Sequence, residues 1–264
     1  VLIDTHAHLD YPDYDPDRPD VLQRAVDAGV TRLISIGTDV ESSQRAVKLA
    51  EAYPFVYAAV GVHPNEAENC SSDFIERVRS LTSHPKVVAI GEVGLDYHRL
   101  PEPEKCAANQ ARQAEVFEAQ LRLASEVGLN VVIHQRDSWD DTLKILTSWT
   151  GRLRGVFHCF GGTMAQAQEV FSKGHLVSFT GIVTFKNAAQ VQESARALSQ
   201  DHFMVETDCP YLAPVPFRGK RCEPAYTRLV AEKIAALRGT TLEEIARQTT
   251  LTAESFFRFN KNRS

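Results

Sequence analysis

A rhythm limits the fold of this chain more than any single residue does. Short apolar, β-branched runs recur from the first residues to about position 205, each followed by a longer amphipathic stretch. The runs that read as strands are 2–5, 32–36, 56–60, 87–90, 130–133, 155–157, 176–179 and 203–205. Between them, 20–28 reads as a helix stopped by Gly29, and 42–52 as one stopped before Pro54. The clearest is 110–127, where Ala114, Phe117, Leu121 and Ala124 keep the helical period and Gly128 supplies the stop. Strand–helix alternation predicts a parallel sheet. Eight units in 264 residues point to a closed (β/α)8 TIM barrel of the α/β class rather than an open doubly wound sheet. No Gly-x-Gly-x-x-Gly follows the first strand, which weakens a dinucleotide-binding reading. Past the eighth strand, 223–237, 241–248 and 251–259 read as extra C-terminal helices, with Thr241 and Glu244 in capping-box spacing. With no linker, repeat or low-complexity tract, one domain over 1–264 is expected.

Composition narrows the function. No stretch approaches the roughly 20 apolar residues of a membrane span, and no basic-then-apolar leader is visible, so no membrane association is expected. The five cysteines are odd in number, scattered and without Cys-x-x-Cys spacing, which favours a reduced, cytoplasmic setting. A net charge of −5 argues against broad non-specific nucleic-acid binding. It does not exclude a nuclease, because carboxylates that hold divalent metal are part of that charge.

Barrel enzymes carry their active sites at the C-terminal ends of the strands, and the unusual polar residues of this chain fall there. His6 and His8 follow the first strand and His63 the third; Glu92 follows the fourth, His134 the fifth, His158 the sixth, and Glu206 and Asp208 the eighth. With a side-chain period of two, Asp4, His6 and His8 share a face. Each has an ordinary structural reading taken singly: His134 as a core histidine, Glu92 as a cap or ion-pair partner, Asp208 as the opening of a turn. Together they do not, since burying so many polar groups at one mouth costs several kcal/mol unless they are paired or bind metal. Four imidazoles and two carboxylates exceed what one catalytic ion needs. Two divalent ions fit better, with His6, His8 and Asp208 on one, His134 and His158 on the other, and Glu92 bridging. The other histidines, His84, His98, His175 and His202, read as structural.

These residues resemble the TatD family of metal-dependent hydrolases within the amidohydrolase superfamily. The resemblance is carried by Asp4-Thr5-His6-Ala7-His8-Leu9-Asp10, Gly61-Val62-His63-Pro64, Gly91-Glu92-Val93-Gly94-Leu95-Asp96-Tyr97, His134-Gln135-Arg136-Asp137, His158-Cys159-Phe160 and Glu206-Thr207-Asp208-Cys209-Pro210. It runs from about residue 2 to the closing helices. It implies a deoxyribonuclease, often a 3′→5′ exonuclease on single-stranded DNA ends, with RNA as a further candidate substrate and no obligate protein partner. It also implies His6, His8, Glu92, His134, His158 and Asp208 as metal ligands, His63 on the scissile phosphate and Glu206 supporting the metal shell. Gln135, Gly161-Gly162 and Cys222 stand where the family often has Ser, Ser-Gly and Asn. None of these departures removes an implied ligand.

The expected chemistry is in-line attack on phosphorus by a hydroxide activated by the two metals, with Asp208 handling its proton and His63 steadying the phosphoryl oxygens. Mg2+ or Mn2+ suits phosphoryl transfer, whereas the imidazole-rich ligand set also suits Zn2+ or Ni2+. Cys159 follows His158 directly, should face the other way, and is not expected to act as a nucleophile. Arg136, and Arg218 and Arg221 in the cationic stretch after the eighth strand, are candidate phosphate contacts. The nearest rival is an amidase, lactonase, phosphotriesterase or deacylase on the same metal site. Superfamily members of that kind commonly have a bridging lysine where this chain has Glu92, which favours the nuclease. A non-catalytic metal-dependent binding protein would bind nucleic acid without cutting it.

Overall fold

The computed structural model describes residues 1–98 and 100–259. Eight parallel strands follow one another around a single sheet: β1 (Leu2–Ala7), β2 (Val30–Ile36), β3 (Val56–Val60), β4 (Val87–Asp96), β5 (Asn130–Arg136), β6 (Gly155–Phe157), β7 (Leu176–Phe179) and β8 (Phe203–Val205). Helices α1 (Arg18–Asp27), α2 (Val40–Ala52), α3 (Phe74–Leu81), α4 (Pro103–Val127), α5 (Trp139–Thr147), α6 (Met164–Ser172) and α7 (Ala189–Ala197) cross between them. After β8 come α8 (Thr227–Arg238) and α9 (Leu242–Phe257). The sheet closes where β8 runs out beside β1. There the Asp208 amide donates to the His6 carbonyl at 2.9 Å, and the His8 amide to the Cys209 carbonyl at 2.8 Å. This is the TIM barrel expected from the alternation.

Both faces of the sheet are apolar, as parallel strands covered by helices require. One cluster, including Leu2, Leu33, Val87 and Val131, packs under the outer helices. A second draws on every strand, from Ile3 through Ile34, Ala59, Val88, Val132, Val156 and Leu176 to Met204, and so fills the lumen. Ala253, Phe256 and Phe257 of α9 belong to it as well. The helix therefore seals the end where the strands begin. Asn130, the first residue of β5, donates its side-chain amide to the Phe256 carbonyl at 2.6 Å, and Arg32 pairs with Glu254 at 2.5 Å.

Several element ends shift by a few residues from the sequence reading, and three departures are larger or change the site. The two expected helices 241–248 and 251–259 are one continuous α9. The Thr249-Thr250-Leu251 stretch looks like a break, yet the Thr249 and Thr252 hydroxyls donate back to the Ile245 and Gln248 carbonyls and leave no polar group that must leave the helix. Thr241 caps it by accepting the Glu244 amide, but the Glu244 carboxylate turns to Arg247 and Gln248 and does not complete a capping box. Helix α4 starts at Pro103, in its first turn where proline is tolerated, and the polar residues before 110 hid that start. Strand β4 runs on through Gly91–Asp96, so Glu92 lies inside a strand rather than after it, as do His6 in β1 and His134 in β5. Gly94 makes the run of β4 possible. It sits at φ 144°, and a Cβ there would lie 1.9 Å from the His134 carbonyl oxygen of β5. Among the described residues no helix is long and apolar enough to cross a membrane, and the five cysteines are free thiols.

Candidate metal centre at the barrel mouth

A cavity of about 630 Å³ opens at the C-terminal ends of the strands. Its wall includes His8, His63, Glu92, His134, Arg136, His158 and Asp208, and His6 lies buried directly beneath. Strand geometry delivers these groups. β1 places His6 and His8 so that their Nε2 atoms face each other at 3.3 Å. β4 carries the Glu92 carboxylate into the centre, where Oε1 stands 2.7 Å from His134 Nδ1 and 2.7 Å from His158 Nε2. Its other oxygen is 3.4 Å from His6 Nε2. Barrel closure brings in Asp208, with Oδ1 3.4 Å from His8 Nε2 and 3.6 Å from His6 Nε2. Asp208 holds a φ of 59°, a left-handed conformation uncommon outside glycine and asparagine, in the turn that leaves β8.

The donor set fits divalent cations. Ring nitrogens that face one another at 3.2–3.3 Å, in His6–His8 and His134–His158, can share one proton per pair at most. The buried His6 Nδ1 has no hydrogen-bond partner. Three sets of three ligand atoms each lie within 4.8 Å of one another: His6–His8–Asp208, His6–His158–Glu206, which shares His6 with the first, and His63–Glu92–His134. Nitrogen and carboxylate oxygen in this mixture suit zinc, manganese or nickel by ligand type. Groups behind the imidazoles orient them. His8 Nδ1 meets the Ile36 carbonyl at 3.3 Å, and His134 Nε2 meets Asp96 Oδ2 at 3.0 Å. His158 Nδ1 faces Glu206 Oε1 at 3.5 Å. Glu206 is itself held by the Cys159 amide at 2.7 Å and the Ser178 hydroxyl at 2.5 Å. Such partners fix ring orientation and leave the inward nitrogen available to a cation.

The electrostatics follow from this crowding. Burial alone would push the Glu92 carboxyl up, but His158, His63, His6 and the His134 hydrogen bond outweigh it and hold it well below the carboxylate range. Asp208 follows the same logic: burial raises it, and the His8 hydrogen bond with the field of His6 brings it below its ordinary value. Asp96 is opposed by burial but drawn down to about 2, chiefly by its bond to His134. His63 goes the other way. Burial depresses it to about 3 despite the nearby Glu92 carboxylate, and its Nδ1 accepts the Asn65 amide at 3.1 Å. The neutral ring therefore keeps its proton on Nε2, a hydrogen-bond donor in a cavity-lining side chain.

The structure thus gathers His6, His8, His63, Glu92, His134, His158, Glu206 and Asp208 at one mouth. Arg136 lines the cavity with an exposed side chain. Arg218 and Arg221 do not line it. Arg218 lies over the Phe185 ring at 3.9 Å, and Arg221 is committed to Asp17 at 2.7 Å and Glu223 at 3.1 Å. Cys159 also departs from its expected orientation. Strand β6 ends at Phe157, so alternation no longer applies; Cys159 turns at φ 49° and lines the cavity. Burial pushes its thiol up to about 12, which keeps it un-ionised and inert. Asp4, expected on the face of His6 and His8, is buried and accepts from the Thr207 amide and hydroxyl; sequence reasoning missed the part played by Asp96 and the Tyr11–Tyr211 pair. Tyr11 stacks on His8 at 4.9 Å, and the two tyrosine rings meet edge to face at 6.1 Å. Asp96 sits in a quoted motif, two alternations beyond Glu92 on the same strand, and that spacing was the available signal.

A parallel eight-stranded barrel with clustered imidazoles and carboxylates at its mouth has the build of a metal-dependent hydrolase. Comparison with known proteins agrees. The family model described as TatD related DNase matches residues 3–258, and the chain belongs to the TatD family. It is 43% identical over 261 residues to the metal-dependent hydrolase YabD of Bacillus subtilis, covering 98% of this chain and all of that one. It is 35% identical over 265 residues to the 3′-5′ ssDNA/RNA exonuclease TatD of Erwinia billingiae, covering 97% and 99%. The crystal structure of YjjV, a TatD homologue from Escherichia coli, superposes with a TM-score of 0.90 at 30% identity, covering 97% of this chain and 98% of that chain.

Proposed function

We propose that the chain acts as one domain, a two-metal phosphodiesterase that shortens single-stranded DNA or RNA from the 3′ end. The observation that carries this reading is the Glu92 carboxylate, with one oxygen 2.7 Å from both His134 and His158 and the other 3.4 Å from His6 of the His6–His8–Asp208 set, beside a neutral, donating His63. The metal ligands in this reading are His6, His8, Glu92, His134, His158 and Asp208, with Glu206 and Asp96 behind them. Divalent cations at such a site lower the pKa of water and draw charge from phosphoryl oxygens. The chain's own residues do the rest. Asp208, a mostly buried ionised carboxylate lining the cavity, accepts the proton of the attacking water. His63 donates from Nε2 to a non-bridging phosphoryl oxygen, and Arg136 meets a phosphate from the wall. Tyr11 and the exposed Tyr211 offer ring faces on which a terminal base can stack. Similarity to the Erwinia billingiae exonuclease supports the substrate class.

The test is hydrolysis of 5′-labelled single-stranded DNA in Mg2+, Mn2+ or Zn2+ by the wild type and by Glu92→Ala. We expect a ladder shortening from the 3′ end that the substitution abolishes. Intact DNA together with metal-dependent turnover of a small ester or amide would overturn the substrate and keep the metal centre.

A further inference from the structure

The far end of the barrel carries a second cleft, of about 580 Å³, that the mouth chemistry does not use. Its wall is formed where chain enters the strands: residues 128–130 before and into β5, 151–154 before β6, and 173–174 before β7. Arg258, the C-cap of α9, completes it. Among the described residues four cations line it, Arg152, Arg154, Lys173 and Arg258, and no aspartate or glutamate does. In a chain of net charge −5 that is a concentrated exception.

The cations are held, yet among the described residues none is paired with a carboxylate. Arg258 donates to the Gly128 carbonyl at 2.9 Å and Arg154 to the Gly174 carbonyl at 3.3 Å. Lys173 reaches the Thr147 hydroxyl at 3.1 Å, and Arg152 lies over the Trp149 ring at 5.4 Å. All four partners are neutral. Several arginines elsewhere behave differently: Arg24, Arg77, Arg79 and Arg221 each sit against a carboxylate. Neutral partners hold the side chains in place while leaving their charge for a ligand. Lys173 and Arg258 are moreover half-buried, where an unpaired cation gains most from an anion. The floor is apolar, with Leu129 and Leu153 buried. The volume falls within the range of small-ligand pockets, and guanidinium forks match phosphate oxygens in pairs.

We propose that this cleft is a binding site for a nucleotide-sized oligophosphate, with the phosphates on the four cations and any base against the leucine floor. The site lies at the strand entrances, so its ligand is distinct from the one processed at the mouth. The inference does not depend on the nuclease reading.

Trp149 supplies a local probe. In the full-length Trp139→Phe protein, Trp149 is the remaining tryptophan of the two in the chain, and its emission reports on the ring that carries Arg152. Pyrophosphate and ATP would be titrated separately against this protein, then against versions also carrying Arg152→Gln/Arg154→Gln or Lys173→Gln. We expect a saturable change in emission, weakened at least tenfold by the double substitution, weakened less by Lys173→Gln, and unaltered when Glu92→Gln is placed at the mouth. ATP binding more tightly than pyrophosphate would assign the floor to the base; equal binding would assign the site to oligophosphate alone. The proposal is overturned by the lack of a saturable change up to millimolar anion, or by titrations that Lys173→Gln and the double substitution leave as they were. It is equally overturned if Glu92→Gln abolishes the signal, since the anion would then sit at the mouth.

Discussion

The two ends of this barrel are built from the same eight strands and solve opposite problems. At the end where the strands start, β1 to β8 contribute aliphatic residues to a lumen that Phe256 and Phe257 plug. Lys86 there is satisfied locally, donating to the carbonyls of Ala50, Tyr53 and Val56. At the other end the same strands run out into imidazoles and carboxylates whose mutual satisfaction is incomplete. The difference teaches where stability and chemistry reside. The plugged end gains from area removed from water, while the open end holds like groups at distances that only a cation or proton reconciles.

That contrast can be broken from either side. Phe256→Ala should cost about 3–5 kcal/mol, the usual loss for a large buried aromatic, read as a lower urea midpoint, with turnover per folded molecule unchanged. A fall in turnover larger than the fall in folded fraction would mean the two ends are coupled. His175 gives the plugged end a pH signature. It is buried, accepts the Gly155 amide at 2.9 Å, and is held down to about 4 by burial and the charges of Arg154 and Lys173. An unfolded chain takes up the proton near 6.5 while the fold refuses it, so stability should fall as pH drops from about 6.5 to 4, by roughly 2–3 kcal/mol. His175→Gln should flatten that slope in pH-dependent melts; an unchanged slope would place the acid sensitivity elsewhere.

Smaller effects sharpen the mouth. Asp96→Asn removes the charge behind His134 without removing a ligand, and should lower metal affinity or activity by about 10–100-fold. Metal titration beside thermal melting checks it, with the melt expected to move little. Last, Arg136→Gln should weaken DNA binding and reduce its salt slope by about 1. Arg221→Gln should leave that slope alone and cost at most about 1 kcal/mol, as for an exposed ion-pair network. The reverse ranking would return the phosphate grip to the loop after β8.

Much of this was readable in the sequence because it is local. Strand and helix periods need only neighbouring residues, and a strand end carries its ligands with it, so His6, His8, His134, His158 and Asp208 could be set at one mouth once the barrel was accepted. Helix ends with no break in periodicity were not readable, as the continuous α9 and the early start of α4 show. Nor were partners chosen across the chain. Asp96 behind His134 depends on the β4–β5 register and on Gly94. Arg221 pairs with Asp17 rather than a phosphate because the loop after β8 returns to α1, 204 residues back in sequence. By itself the sequence determined the barrel, its polarity and the donor atoms, since these follow from side-chain period and residue type. The tertiary structure decided which nitrogen faces which carboxylate, which cations stay unpaired, and that the cations at the strand entrances meet around one cleft, because those outcomes depend on contacts between segments that no local pattern records.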